Sequence, residues 1–228
     1  MRYSHVLLDL DHTLFDTETS LRMAYHDALQ SVGADGSQSY ERFDEINQAL
    51  WRRVEAHELT PPEVHIARFV ELDSQLGLGA DPQDMAEAFA VGMGAHGELY
   101  PGALQVLDQL ATKATLALIT NGLSDIQRTR IDRLGIRGHF AAVTISAEAG
   151  TSKPGAAIFD LTFQALGDPD RSTAVMVGDN LGSDIAGGKN AGIATCWYNP
   201  AGAAASDAHP ADYTIGSLDE LVSIIAGE

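Results

Sequence analysis

Positive charge is scarce in this chain. Against 32 aspartates and glutamates stand only 14 lysines and arginines in 228 residues, a formal charge of −18. Such a surface repels nucleic acid and anionic lipid, so neither is expected as a partner. An anionic substrate would need a local cluster of positive groups. Cysteine is scarcer still. A lone Cys196 excludes an internal disulfide, and the apolar run Ala194-Thr195-Cys196-Trp197-Tyr198 marks it as a buried structural thiol rather than a nucleophile. Long hydrophobic runs are missing too: no stretch approaches the ~18 apolar residues of a membrane-spanning helix. The start, Met1-Arg2-Tyr3-Ser4-His5, leads into a short apolar run ending in aspartate and does not resemble a signal peptide, so a cytoplasmic location is expected.

Hydrophobic residues make up 45% of the chain, enough for a substantial core. The length suits one α/β domain of about 150 residues plus an accessory unit. Apolar runs at 6–10, 115–119, 142–145, 174–177 and 194–198 end abruptly in polar or glycine residues and fit buried strands. From residue 115 they alternate with helical stretches at 124–134 and 156–166. That alternation predicts a mainly parallel sheet with helices on both faces. Near the end, Ser217 and Glu220 form a capping box ahead of Leu221, Ile224 and Ile225.

The interval 17–97 has a different character. It reads as four helices, at 19–31, 40–57, 61–76 and 82–95. In the second, Phe43, Ile46, Leu50 and Val54 recur at helical spacing. About 80 residues between the first two strands are too many for a loop. The expectation is a discontinuous core domain (1–16 and 98–228) with a helical domain (17–97) inserted, and a surface loop at 201–208.

Four polar groups fall at strand ends or helix starts, the edge where ligands bind in an open parallel sheet. The first is Asp9-Leu10-Asp11-His12-Thr13-Leu14-Phe15-Asp16. Alone, its paired carboxylates fit ordinary turn chemistry equally well. The second, Leu118-Ile119-Thr120-Asn121-Gly122, runs from a strand into a helix starting near Ser124; free N–H groups there suit an anion, and so would a plain turn. The third, Lys153-Pro154, precedes a helix. Proline needs no special reason at a first turn, whereas a lysine runs against the helix dipole; singly it reads as a surface solubiliser. The fourth, Val177-Gly178-Asp179-Asn180-Leu181-Gly182-Ser183-Asp184, offers the oxygen ligands that hard divalent cations prefer.

In this order, Asp9-x-Asp11, Thr120, Lys153-Pro154 and Gly178-Asp179-x₄-Asp184 resemble the four motifs of the haloacid-dehalogenase superfamily. The inserted helices resemble that superfamily's first type of cap. Further likeness to bacterial pyrimidine-type house-cleaning 5′-nucleotidases rests on Asn47-Gln48-Ala49-Leu50-Trp51, on Ile145-Ser146-Ala147-Glu148-Ala149-Gly150, and on the stretch from Met176 through Ser183-Asp184-Ile185-Ala186-Gly187-Gly188 to Asn190-Ala191-Gly192 and Trp197. The resemblance implies a Rossmann-like α/β core with a helical cap, and a Mg²⁺-dependent phosphatase that forms an aspartyl-phosphate on Asp9.

It also implies roles. Asp11 would act as general acid and then base, its pKa raised by phosphate or carboxylates nearby. Asp9, Asp179 and the Asp11 backbone carbonyl would hold Mg²⁺, with Asp184 orienting the metal's water. Thr120, the Asn121 N–H and Lys153 would bind the phosphoryl oxygens. Phe15 and Trp51 are candidates for stacking on a base, or equally core aromatics. Asn47, Arg68 and His26 are candidate polar readers. His12, where relatives carry glycine or glutamate, is expected to point away from the phosphate. The expected partner is a small phosphate monoester, a nucleoside monophosphate first. Phosphoglycolate and other small esters stay open as substrates, and so do monomer and homodimer as assembly states. Asp11 argues against a dehalogenase; a sugar-phosphate mutase and a non-catalytic phosphate sensor are the remaining rivals.

Overall fold

Strands form where the sequence is apolar towards both faces. In the computed structural model, which describes residues 2–34, 40–56, 58–204 and 208–227, these are β1 (His5–Leu8), β2 (Thr115–Thr120), β3 (Phe140–Ile145), β4 (Ala174–Gly178), β5 (Ala194–Tyr198) and β6 (Tyr213–Ile215). They build one sheet in the order β3-β2-β1-β4-β5-β6, every neighbouring pair parallel. Alternate residues feed two cores. Val6, Leu8, Leu116, Leu118, Val175 and Val177 pack on one face, and Leu7, Ala117, Ile119, Ala174 and Met176 on the other. Burial on both faces explains why these strands read as continuous apolar runs.

The helices are α1 (Thr17–Ser31), α2 (Tyr40–Glu55), α3 (Pro61–Leu76), α4 (Pro82–Ala95), α5 (Ala103–Ala111), α6 (Ser124–Arg133), α7 (Ser146–Ala149), α8 (Ala156–Ala165), α9 (Ala186–Asn190) and α10 (Glu220–Ala226). Residues of α5 and α10 belong to the first core, and Ile158, Phe159 and Phe163 of α8 to the second. This is the expected Rossmann-like α/β architecture. Strand order reverses beside β1, which lies between β2 and β4. The crevice at the carboxyl ends of those strands is where such a sheet places a ligand.

Helices α1 to α4 carry a hydrophobic cluster of their own. The Phe43 ring lies at its centre, with centroids 4.7 Å from Tyr25, 5.3 Å from Phe89 and 5.7 Å from Phe69. Local signals set the ends: Asp16 caps α1 at the Thr19 N–H, Thr60 and Glu63 form a capping box before α3, and Asp81 caps α4 at the Gln83 N–H. Leu123 and Ile126, at the start of α6, close the cluster against the sheet domain.

The chain leaves and re-enters the sheet along two paired segments. The Asp16 N–H donates to the Glu98 carbonyl and the Tyr100 N–H to the Leu14 carbonyl, both at 2.9 Å. Gly97 makes that crossing possible. Its φ is +83°, and a Cβ there would sit 2.5 Å from Phe15 Cζ.

Several elements differ from the reading of the sequence. The edge strand β6 and the helix α5 were not anticipated. Helix α10 begins at Glu220, two residues later than a cap at Ser217 implies: the Glu220 carboxylate does accept from the Gly216 and Ser217 N–H groups at 2.9 Å, but the turn becomes α-helical only afterwards. Helix α2 ends at Glu55; residue 57 of the expected helix, and 205–207 of the expected surface loop, lie outside the described residues. Among the described residues no helix is long and apolar enough to cross a membrane.

Candidate active site

Asp9 follows β1 directly, and its N–H still bonds to the Val177 carbonyl of β4 at 3.0 Å. This backbone bond holds its carboxylate at the crevice between the two strands. Lys153, on the segment before α8, reaches it from the far side of the sheet. The Lys153 ammonium, 1% exposed, has three donors and three acceptors: Asp9 Oδ1 at 2.6 Å, Asp184 Oδ1 at 2.7 Å and the Ile119 carbonyl at 3.0 Å. Burial works against its charge, but Asp184 and Asp9 more than offset that and hold it above the ordinary lysine range. The lysine that looked costly at a helix start is therefore fully compensated. Asn121 fixes its backbone, donating to the Lys153 carbonyl and accepting from the Lys153 N–H, both at 2.9 Å.

Asp179 closes the ring. Oxygens of Asp9, Asp179 and Asp184 all lie within 4.8 Å of one another. Burial raises the Asp9 carboxyl most; Lys153 pulls the other way, and Asp184 and Asp179 push it further up, so it stands well above the usual carboxylate range. Burial, then the Asp184 charge, push Asp179 up to about 7. Three crowded carboxylates around one ammonium leave excess negative charge. Hard oxygen donors with that excess fit a divalent cation such as Mg²⁺. Asp184 has both oxygens engaged, one by Lys153 and one by the Asn180 N–H at 3.0 Å.

The Asp11 carboxylate turns away from this ring. Oδ1 accepts from Arg130 Nη1 at 2.5 Å and from Thr17 Oγ1 at 2.7 Å, and Oδ2 from Gln127 Nε2 at 2.6 Å. Burial alone would raise its pKa, but the Arg130 guanidinium, Gln127 and Thr17 outweigh it and hold the carboxyl below its ordinary value. The expected upward shift is thus reversed, because the groups facing Asp11 are a cation and two donors rather than carboxylates. Thr120, buried at the end of β2, accepts from Gln127 Nε2 at 2.8 Å and donates to Asp11 Oδ2 at 3.5 Å.

Asp9, Asp11, Asn121, Lys153, Asp179 and Asp184 line one cavity of about 570 Å³, which continues between the helices to Asn47, Trp51 and Arg68. Small-molecule sites of roughly 300–1,000 Å³ are the usual size. Two aromatic and imidazole candidates lie elsewhere. Phe15 is fully buried in the sheet core, with the Arg130 guanidinium 4.1 Å from its ring centre, and offers no face to a ligand. His26 is exposed on α1 beside Gln30. His12 is exposed and lines the cavity; its backbone, at φ +60°, reverses immediately after Asp11.

Arg130, Gln127, Thr17 and Thr13 were not picked out from the sequence. Thr13 Oγ1 accepts from the Asp179 N–H at 3.1 Å, joining the two aspartate segments. Its position four residues after Asp9 was the available signal. Gln127 and Arg130 stand one helical turn apart on α6, and that spacing alone does not say what they face.

A Rossmann-like enzyme core with a buried aspartate–lysine site beneath inserted helices is the class that fold and geometry define. The profile of the haloacid dehalogenase-like hydrolases matches residues 3–192. The chain is 34% identical over 227 residues to the pyrimidine 5′-nucleotidase YjjG of Escherichia coli, covering 99% of both chains. It is 34% identical over 202 residues to the pyrimidine 5′-nucleotidase PynA of Streptococcus pneumoniae, covering 88% of this chain and 85% of that one. Among solved structures, the putative HAD-hydrolase YfnB of Bacillus subtilis, bound to magnesium, superposes with a TM-score of 0.89 at 28% identity over 99% of each chain. The chain belongs to the haloacid dehalogenase-like hydrolase family and is an enzyme of that kind.

Proposed function

We propose that this hydrolase is a Mg²⁺-dependent phosphoric monoester hydrolase of the 5′-nucleotidase kind, acting in the cytoplasm on pyrimidine or non-canonical nucleoside monophosphates. One observation supports it most: Asp9, Lys153 and Asp11 line the same cavity, which extends to Asn47, Trp51 and Arg68 in the helical unit. The two 34%-identical relatives bear pyrimidine nucleotidase names, which supports the substrate class. In this reading the helices of 17–97 are a cap over the core of 1–16 and 98–228, and Trp51 offers a ring on which a base stacks.

In the first step an Asp9 oxygen attacks phosphorus, the ester P–O bond breaks, and Asp11 gives a proton to the departing alkoxide. The Lys153 ammonium, the Thr120 hydroxyl and the Asn121 N–H hold the phosphoryl oxygens. In the second step Asp11 takes a proton from water as that water attacks phosphorus, and the Asp9 carboxylate leaves. The ionised form of Asp11 favoured by Arg130 is the form needed for the second step. Proton uptake before the first is favoured by the approach of a phosphate anion. Asp9, Asp179 and the Asp11 carbonyl would hold Mg²⁺, whose charge would screen the phosphate from the attacking carboxylate. Asp184, with both oxygens occupied by Lys153 and the Asn180 N–H, would act on the ion indirectly rather than as a ligand.

The test is phosphate release with Mg²⁺ from p-nitrophenyl phosphate, then from UMP, dUMP and dTMP against phosphoglycolate and sugar phosphates. The expected ranking puts the nucleotides first. A clear preference for phosphoglycolate would leave a phosphatase but remove the nucleotidase, and no release from any ester would remove both.

A further inference from the structure

Two polar side chains in the helical unit are buried without the partners that burial demands. Asn47 of α2 is 5% exposed, and its Oδ1 has no hydrogen-bond donor. Arg68 of α3 is 3% exposed. Its Nε donates to the Val64 carbonyl at 3.1 Å and its guanidinium lies 4.8 Å from the Phe89 ring centre. Among the described residues no carboxylate pairs with it, and burial alone pulls it down to about 9. Buried cations and acceptors left unpaired destabilise a protein, so a fold that keeps two of them lining one cavity has a use for them.

We propose that Arg68 and Asn47 are the specificity-determining pair of this cavity, reading the edge of an uncharged planar base in which a ring carbonyl stands beside an N–H, as in uracil and thymine. The inference rests on the nucleotidase reading and deepens it. The guanidinium is donor-only and calls for a carbonyl oxygen, whereas the orphan Asn47 Oδ1 calls for an N–H. Trp51, one helical turn beyond Asn47, shares the cavity wall with Phe89, and the two give a flat ring apolar surroundings. Glu18 and Asp44 line the same cavity, and burial, then the Glu18 charge, push the Asp44 carboxyl up. A second anionic group on the substrate is disfavoured there, which argues against a carboxylate as the ligand of Arg68.

The test compares kcat/KM for UMP and for ribose 5-phosphate, which share the phosphate ester and differ by the base, in the wild type, Arg68→Met and Asn47→Leu, with phosphoserine as a carboxylate-bearing arm. The UMP to ribose 5-phosphate ratio is expected to fall roughly 10-fold or more in each variant, since a base group is left unpaired in a dry site. Arg68→Met should also raise the Tm of the ligand-free protein by roughly 2–4 °C, because an unpaired buried charge has been removed. A structural arginine would do the opposite. A ratio that stays within threefold of the wild-type value in both variants overturns the proposal, whatever Tm does. A loss in Arg68→Met confined to phosphoserine overturns it in favour of a carboxylate ligand. If the wild type itself does not prefer UMP to ribose 5-phosphate, the nucleotidase reading fails first and takes this pair with it; a preferring wild type with unmoved variants removes the pair alone.

Discussion

Arg130 holds Asp11. Its Nη1 stands 2.5 Å from Asp11 Oδ1, while its Nη2 donates to the Met93 carbonyl of α4 at 3.0 Å and approaches Ser20 Oγ of α1 at 3.4 Å. One buried side chain thus links Asp11 to both the first and the last helix of the α1–α4 unit. Because Asp11 lies only partly exposed along the cavity, its charge depends on this partner.

Arg130→Met should therefore destabilise the protein at pH 8 by about 3 kcal/mol, as removal of one member of a buried pair does. The wild-type Asp11 pKa is lowered, so its contribution is present above the ordinary value of 3.8 and is lost as pH falls through the still lower folded value. In the variant Asp11 keeps its burial and loses its cation, so its pKa moves up. Thermal melts at pH 8 and pH 5 should show the penalty shrinking at the lower pH, where the orphaned carboxylate takes a proton.

Metal binding should carry the signature of Asp179. With its pKa raised to about 7, this carboxyl is partly protonated at pH 6 and ionised at pH 8. A raised carboxylate costs stability as pH climbs from the unfolded value through 7, and bound Mg²⁺ removes that cost. The Tm increase on adding Mg²⁺ should be larger at pH 8 than at pH 6, and calorimetry should record proton release near pH 7. EDTA should abolish both.

Lys153→Met leaves Asp9 and Asp184 buried without their shared cation. A loss of about 3–5 kcal/mol is expected at pH 8, partly restored by saturating Mg²⁺. The loss should diminish towards pH 5, as the Asp9 carboxyl, already raised by its burial, takes a proton. Chemical denaturation at the two pH values, with and without Mg²⁺, measures it.

Gly178→Ala probes the end of β4. A Cβ there would meet Asp184 Oδ2 at 2.2 Å, and that carboxylate is pinned by Lys153 and the Asn180 N–H. The aspartate must shift, so Mg²⁺ affinity should weaken by roughly 10-fold, with about 1–3 kcal/mol of stability lost. Titration calorimetry with Mg²⁺ reads the first and denaturant melts the second.

The strands and the helices between β1 and β2 were legible because burial imposes a pattern. Strands covered on both faces appear as apolar runs, and β1, ending at Leu8, leads straight into Asp9. The helix starts expected at 19, 61 and 82 fall within two residues of those of α1, α3 and α4. β6 escaped because it is a three-residue edge strand whose central Thr214 is exposed, leaving no apolar run. α5 is only nine residues long, and its buried face of Val106, Leu107 and Leu110 is a short signal beside the strand that follows. In the site, residues next to strand ends were readable from local sequence, whereas partners brought from afar were not. Arg130 meets Asp11 across 119 positions of chain, and nothing in a polar helix says which residue turns inward. Phe15, readable as a stacking ring or equally as a core aromatic, is the latter: the turn after Leu10 sends it into the core.

The most direct test of the account is phosphate release from UMP by Asp9→Asn in saturating Mg²⁺. Asparagine keeps the shape beside Lys153 but removes the nucleophilic carboxylate. The expected kcat is at least about 10⁴-fold below wild type, with a cooperative melt retained. Turnover within about tenfold of wild type, in a folded Asp9→Asn protein, would contradict it.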